Sequence, residues 1–140
     1  MQFEILTVNS IKSITQRRLL WYWNELAAGR RFPMFSDFHV DARMHDPKQL
    51  LIWSIEHDGG HRKFRSRLHG ARFQEVFRSN WLGRTMDEVV PECLRQYALD
   101  TAEECAGSGC AVFSILSTVD AAGHRVDCER LLLPFGSGTE

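Results

Sequence analysis

The sequence lacks several short motifs that mark catalytic or metal-holding loops. It has no Cys-x-x-Cys pair, no Gly-x-Ser-x-Gly, no His-Glu-x-x-His and no glycine-rich phosphate cradle. Those absences leave no sequence support for a zinc ribbon, a thioredoxin-type redox pair, a hydrolase nucleophile turn or a nucleotide site. It also lacks a charge excess: 17 Lys and Arg against 18 Asp and Glu give a net charge of −1. A dedicated nucleic-acid-binding domain is strongly basic, so nucleic acid is not an expected partner. No run approaches the roughly 18 apolar residues needed to cross a bilayer, so no membrane partner is expected. The N-terminal stretch Met1–Val8 carries Glu4 and has no basic start or small-residue cleavage site. It does not read as a secretory signal, and the cytoplasm is the expected compartment. Cys93, Cys105, Cys110 and Cys128 then read as reduced, mostly buried thiols. With 4 Pro and 10 Gly in 140 residues, the chain is neither fibrous nor of disordered composition.

What is present is enough for one domain. Hydrophobic residues make up 44% of the chain, and a chain of this length buries roughly 68% of its unfolded surface without a disulfide or metal. Ser13-x-x-Gln16 forms a capping box ahead of Leu19, Tyr22, Trp23 and Leu26 at helical spacing, with Gly29 as the stop. Trp21 and Trp23, two apart, cannot share one helix face. The helix therefore either lies between two surfaces or offers Trp21, Tyr22 and Trp23 to a partner, and aromatics are enriched at interface cores. Between Pro33 and Pro47 no regular structure is expected.

Residues 48–57 read as a strand apolar on both faces, with Leu51, Trp53 and Ile55 on one and Leu50 and Ile52 on the other. Such a strand should be covered on both sides. Asp58-Gly59-Gly60 is a hairpin signal. The strand from Arg62 to His69 alternates, with Phe64, Ser66 and Leu68 toward a core and Lys63, Arg65, Arg67 and His69 toward water. A short helix carries Phe73, Val76 and Phe77. Thr85-x-x-Glu88 caps a single turn, and Pro91 opens a longer helix with Leu94, Tyr97, Ala98, Thr101 and Cys105 on one stripe, stopped by Gly107 and Gly109. Two further strands, 110–119 and 124–133, flank a turn at 120–123. Two hairpins separated by helices predict an α+β fold with an antiparallel sheet, not a parallel doubly wound one.

At this point the chain resembles the stand-alone PAS-type sensory domains of bacteria, common in alphaproteobacteria. Four blocks over about residues 19–135 carry the resemblance. They are Leu19-Leu20-Trp21-Tyr22-Trp23 running into Gly29-Arg30-Arg31-Phe32-Pro33; Phe64-Arg65-Ser66-Arg67-Leu68-His69-Gly70-Ala71-Arg72; Phe77 through Gly83-Arg84-Thr85-Met86-Asp87-Glu88; and Glu129-Arg130-Leu131-Leu132-Leu133-Pro134-Phe135. The resemblance implies a five-stranded antiparallel sheet with helices on one face and a cleft between them that often holds a small ligand. Its output is usually a conformational signal to a partner, not a reaction. The expected organisation is an N-terminal helix and connector at 1–47, followed by a PAS-like domain at 48–140.

Two departures stand out. Asn80 and Arg78 occupy positions where the family usually has an acidic residue and a glycine. The family also continues past the Pro134 block into one more strand, central in the sheet, for which Gly136–Glu140 is too short and too rich in glycine. Three outcomes follow: a fragment, a strand supplied by another protomer, or residues 3–8 folding into that place.

The expected ligand-lining residues are Trp53, Arg67, Phe73, Phe77, Trp81, Tyr97, Phe113 and Ile115. The basic face Lys63, Arg65 and Arg67, with Arg62 and Arg72 nearby, is a candidate for an anion. A flavin photosensor would need a cysteine within residues 70–90, and a haem an axial histidine on 91–106; neither is present. No cofactor is assigned, and no metal or catalytic residue is nominated among His39, His45, His57, His61, His69 and His124. The reading is a non-catalytic sensory or regulatory module that takes a small molecule or a protein, with a homodimer or other protein partner. The alternative is a ligand-free interaction module, and a small enzyme of unknown reaction comes after that.

Overall fold

The structure, a computed structural model, describes residues 2–39, 46–119 and 122–136. It opens on strand β1 (Gln2–Leu6) and helix α1 (Ile14–Ala27). Ser13 caps α1 by accepting the Gln16 backbone N–H at 3.2 Å. The reciprocal half of the expected box is not made, because the Gln16 side chain donates instead to the Glu129 carbonyl at 3.0 Å. The helix stops one residue earlier than predicted, on Ala28 in the left-handed region.

Strands β2 (Leu51–Asp58) and β3 (His61–His69) form the predicted hairpin. Gly59 and Gly60 have φ of 58° and 88°. Both turn positions thus take the positive φ that a tight two-residue hairpin needs, which only glycine adopts without strain. Helices α2 (Ala71–Phe77), α3 (Met86–Val89) and α4 (Glu92–Ser108) follow. Gly107 lies inside α4, and the stop falls on Gly109 alone, at φ 68°. The chain closes with β4 (Val112–Val119) and β5 (Arg125–Leu132). The predicted turn at 120–123 falls in part outside the described residues.

The elements are α+β and antiparallel, as expected, but the two ribbons do not join edge to edge. They remain a three-stranded sheet in the order β1-β4-β5 and a two-stranded sheet of β2 and β3. Residues 3–8 do not supply the linking strand. Instead β1 pairs antiparallel with β4, Leu6 opposite Phe113 and Gln2 opposite Ser117. The hairpin to β5 occupies one edge of β4, so β1 satisfies the backbone groups of the other. Among the described residues, β2 and β5 each keep one edge without a strand partner.

Side chains, not a ladder, connect the ribbons. Phe64 of β3, Leu116 of β4 and the α4 stripe of Leu94, Tyr97, Ala98 and Ala102 belong to one buried cluster with Trp81 and Met86. The larger apolar side chains among them, Phe64, Leu94, Leu116 and Met86, each contribute about 1.5–3 kcal/mol on burial, and α4 packs between the halves. Arg62 of β3 and Glu103 of α4 also form an ion pair at 2.8 Å. The expected two-sided cover of β2 is incomplete: Leu51 and Trp53 pack on the cluster, while Ile55 is exposed.

Candidate ligand cleft

A register shift in the β2–β3 ladder makes the site. Trp53 pairs with Ser66 but Ile52 pairs with Leu68, leaving Arg67 as an extra residue on β3. Such a bulge reverses which side the following residues face. Phe64 and Ser66 point inward as predicted. Beyond the bulge it is His69 that turns inward and Leu68 that leaves the core face, opposite to the simple alternation. His69 then stacks on Trp81 at 4.9 Å and 6°, and its Nδ1 accepts the Trp81 backbone N–H at 3.0 Å. Phe77 stacks on Trp81 at 4.9 Å, Trp53 lies 6.1 Å from Trp81, and Phe73 lies 6.4 Å from His69.

This aromatic wall contains two buried polar atoms without a protein partner, Ser66 Oγ and His69 Nε2. Ser66 is only 1% exposed. Native interiors rarely leave such atoms unsatisfied, because each costs about 1–3 kcal/mol. Burial also pulls the His69 pKa below its usual 6.5, against a smaller opposing effect from the Asn80 side chain.

A second polar group lies beneath α4. Tyr97 Oη and Ser114 Oγ share a hydrogen bond of 2.7 Å. Arg130, opposite Ser114 in the β4–β5 register, donates to Thr101 Oγ1 at 2.7 Å and lies 5.7 Å from the centre of the Tyr97 ring.

The expected lining residues therefore divide. Trp53, Phe73, Phe77 and Trp81 come together. Tyr97 points inward from α4, toward Ser114. Phe113 and Ile115 do not join them: Ser114 and Leu116 face α4, and strand alternation puts Phe113 and Ile115 on the opposite face of β4. Arg67 is outside as well, exposed on the bulge and bonded to Ser54 Oγ at 2.9 Å. Arg62, Lys63 and Arg65 of that face each have a carboxylate partner. Glu56 takes Arg65 through two bonds of 3.0 and 3.1 Å, and that pairing holds the Glu56 carboxyl below its usual range.

Residue reasoning missed Ser66 and His69 as site groups, along with Thr101, Ser114 and Arg130. A signal existed for Arg130. It stands in phase with Cys128 and Leu132 in a strand whose other phase carries Asp127 and Glu129.

The three interface candidates also separate. Trp21 is 59% exposed, whereas Trp23 is 7% exposed and its indole N–H donates to the Pro134 carbonyl at 2.8 Å. Tyr22 packs near Phe38, with ring centres 5.8 Å apart, and its hydroxyl accepts the His39 backbone N–H.

The described residues thus form an antiparallel α+β body with short helices and an aromatic cluster against the β2–β3 hairpin. The PAS domain family model matches residues 11–140, and the chain belongs to that family. No curated protein and no solved structure matches it. Among the described residues no helix is long and apolar enough to cross a membrane.

Proposed function

We propose that this chain is a cytoplasmic, non-catalytic sensory module that holds a small organic ligand against the Trp53–Trp81–His69 wall and passes a change of shape to a protein partner. Membership of the PAS family supports a sensory or interaction role in general. The observation that carries the ligand is the pair of orphaned polar atoms, Ser66 Oγ and His69 Nε2, within an aromatic surface. A planar molecule with an acceptor and a donor would stack there and satisfy both atoms.

The route outward is short. Ser66 N–H donates to the Arg84 carbonyl at 2.9 Å, and Gly83 N–H donates to the Ser66 carbonyl at 2.8 Å. A shift of Ser66 thus moves the segment that leads through Thr85 into α3. In this reading residues 48–140, with β1 on the outer edge of β4, form the sensing body, and α1 with the connector after it reports its state.

Native mass spectrometry of the full chain, purified without denaturant, tests the proposal. A retained small molecule that is lost in Ser66→Val is the expected result. A bare chain or bare dimer in every preparation would sink the ligand. The exposed Trp21 favours a second reading, a ligand-free interaction module; that reading predicts the bare dimer, dissociated by Trp21→Ser.

A further inference from the structure

We propose that Arg130 is the receptor for the carboxylate of a small organic monoanion, bound between β5 and α4. This deepens the ligand reading above and rests on it. The placement comes from the ladder. Arg130 is opposite Ser114, and Cys128 is opposite Leu116, so Arg130 shares the inward face of β5 with a side chain packed on the buried cluster.

A charge in that position needs a counter-charge, and no carboxylate among the described residues supplies one. Arg130 meets the Thr101 hydroxyl and the Tyr97 ring, and among the described residues it forms no ion pair with a carboxylate. Part of the residue stays accessible, yet its guanidinium is deep enough for desolvation to pull its pKa below the usual value. Cys105 is close enough to feel Arg130, but burial pushes that thiol up to about 12. At neutral pH it is therefore a thiol and offers no negative charge. Asp127 and Glu129 precede Arg130 in β5 but alternate to the opposite face of the strand. An unpaired charge held away from water is costly, and an entering anion removes that cost while gaining charge-assisted bonds.

The chemistry narrows the anion. A guanidinium presents a flat fork that fits a carboxylate through two parallel bonds. One cation balances one negative charge, so a phosphate dianion would leave charge uncompensated in the same interior. The neighbours beyond the fork, Leu116, Cys128 and the Tyr97 ring, suit an apolar or aromatic body.

The test uses the full chain, isotope-labelled, with benzoate as the probe. Benzamide serves as the neutral isostere and inorganic phosphate as the second anion. The expected result is a saturable shift of the Arg130 side-chain Nε–H signal and the Thr101 amide, half-complete at millimolar benzoate, as suits so small a ligand. Benzamide and phosphate should each bind at least about tenfold more weakly, and Arg130→Gln should weaken benzoate by a similar factor. Should Arg130→Gln fail to fold, the comparison of benzoate with benzamide in the unaltered chain decides alone. No saturable shift at Arg130, or equal binding of benzamide, overturns the proposal. Tighter binding of phosphate overturns the carboxylate assignment. If native mass spectrometry finds a retained molecule while benzoate leaves Arg130 unmoved, the Arg130 receptor falls and the ligand reading stands. If the chain is bare and benzoate also leaves Arg130 unmoved, both fall.

Discussion

His69 owes its environment to one inserted residue. Without the bulge at Arg67 it would face water beside Lys63 and Arg65; with it, the ring lies flat on Trp81 and accepts a backbone N–H. Protonation would place a donor on Nδ1 where the Trp81 N–H already points, and burial also disfavours the charged ring. The folded-state pKa therefore lies below the usual 6.5. As pH falls, the unfolded chain takes up the proton first. Stability is full above about 6.5 and declines as pH drops from there through the folded-state value. Thermal melting should accordingly move to lower temperature between about pH 7 and pH 5. His69→Gln, which keeps an acceptor but cannot titrate, should flatten that part of the profile; an unchanged slope would count against the stacked, neutral ring.

At the scale of elements, the two ends of α2 make opposite demands on the backbone. At its start Gly70 donates to the Leu50 carbonyl at 2.9 Å, and an added Cβ would stand 2.3 Å from the Lys48 carbonyl oxygen. The obstacle is backbone, so it cannot swing aside. Gly70→Ala should destabilise the protein by about 1–3 kcal/mol, read from urea denaturation. At its end Arg78 holds φ of 54°, a left-handed conformation that a side chain adopts at a cost. This is a position where the family resemblance leads one to expect glycine, and the chain keeps the glycine-type backbone without the glycine. Arg78→Gly should stabilise by up to about 1 kcal/mol in the same assay. α3 shows a milder departure: Thr85 closes its predicted box side chain to side chain, donating to Glu88 Oε1 at 2.7 Å.

For the molecule as a whole, Trp23 and Trp21 test how α1 is attached. Trp23 ties α1 to the segment after β5, whereas Trp21 looks outward. Trp23→Ala should cost about 3–5 kcal/mol, combining the lost burial with a vacated carbonyl bond. Trp21→Ser should stay within about 0.5 kcal/mol of the parent. Calorimetry of both should show a single transition if α1 belongs to the cooperative unit. A second, early transition confined to Trp23→Ala would mean that α1 docks and undocks by itself.

Local rules settled much of this molecule. The α4 stripe, the double-glycine hairpin, the Ser13 cap and the order of elements from α1 onward follow from spacing, capping chemistry and conformational freedom within a few residues of each other. So does the aromatic cluster, because Trp53, Phe73, Phe77 and Trp81 were bound to seek a common interior. Tertiary structure decided what periodicity cannot register. A one-residue bulge exchanged Leu68 for His69, the α4-facing phase of β4 sent Phe113 and Ile115 to the far face, and β1 took the outer edge of β4. Arg130 became an inward charge only because β5 pairs with β4 in a register that sets it opposite Ser114. Strand register and edge choice depend on residues distant in sequence meeting across a ladder, and no local pattern contains that information.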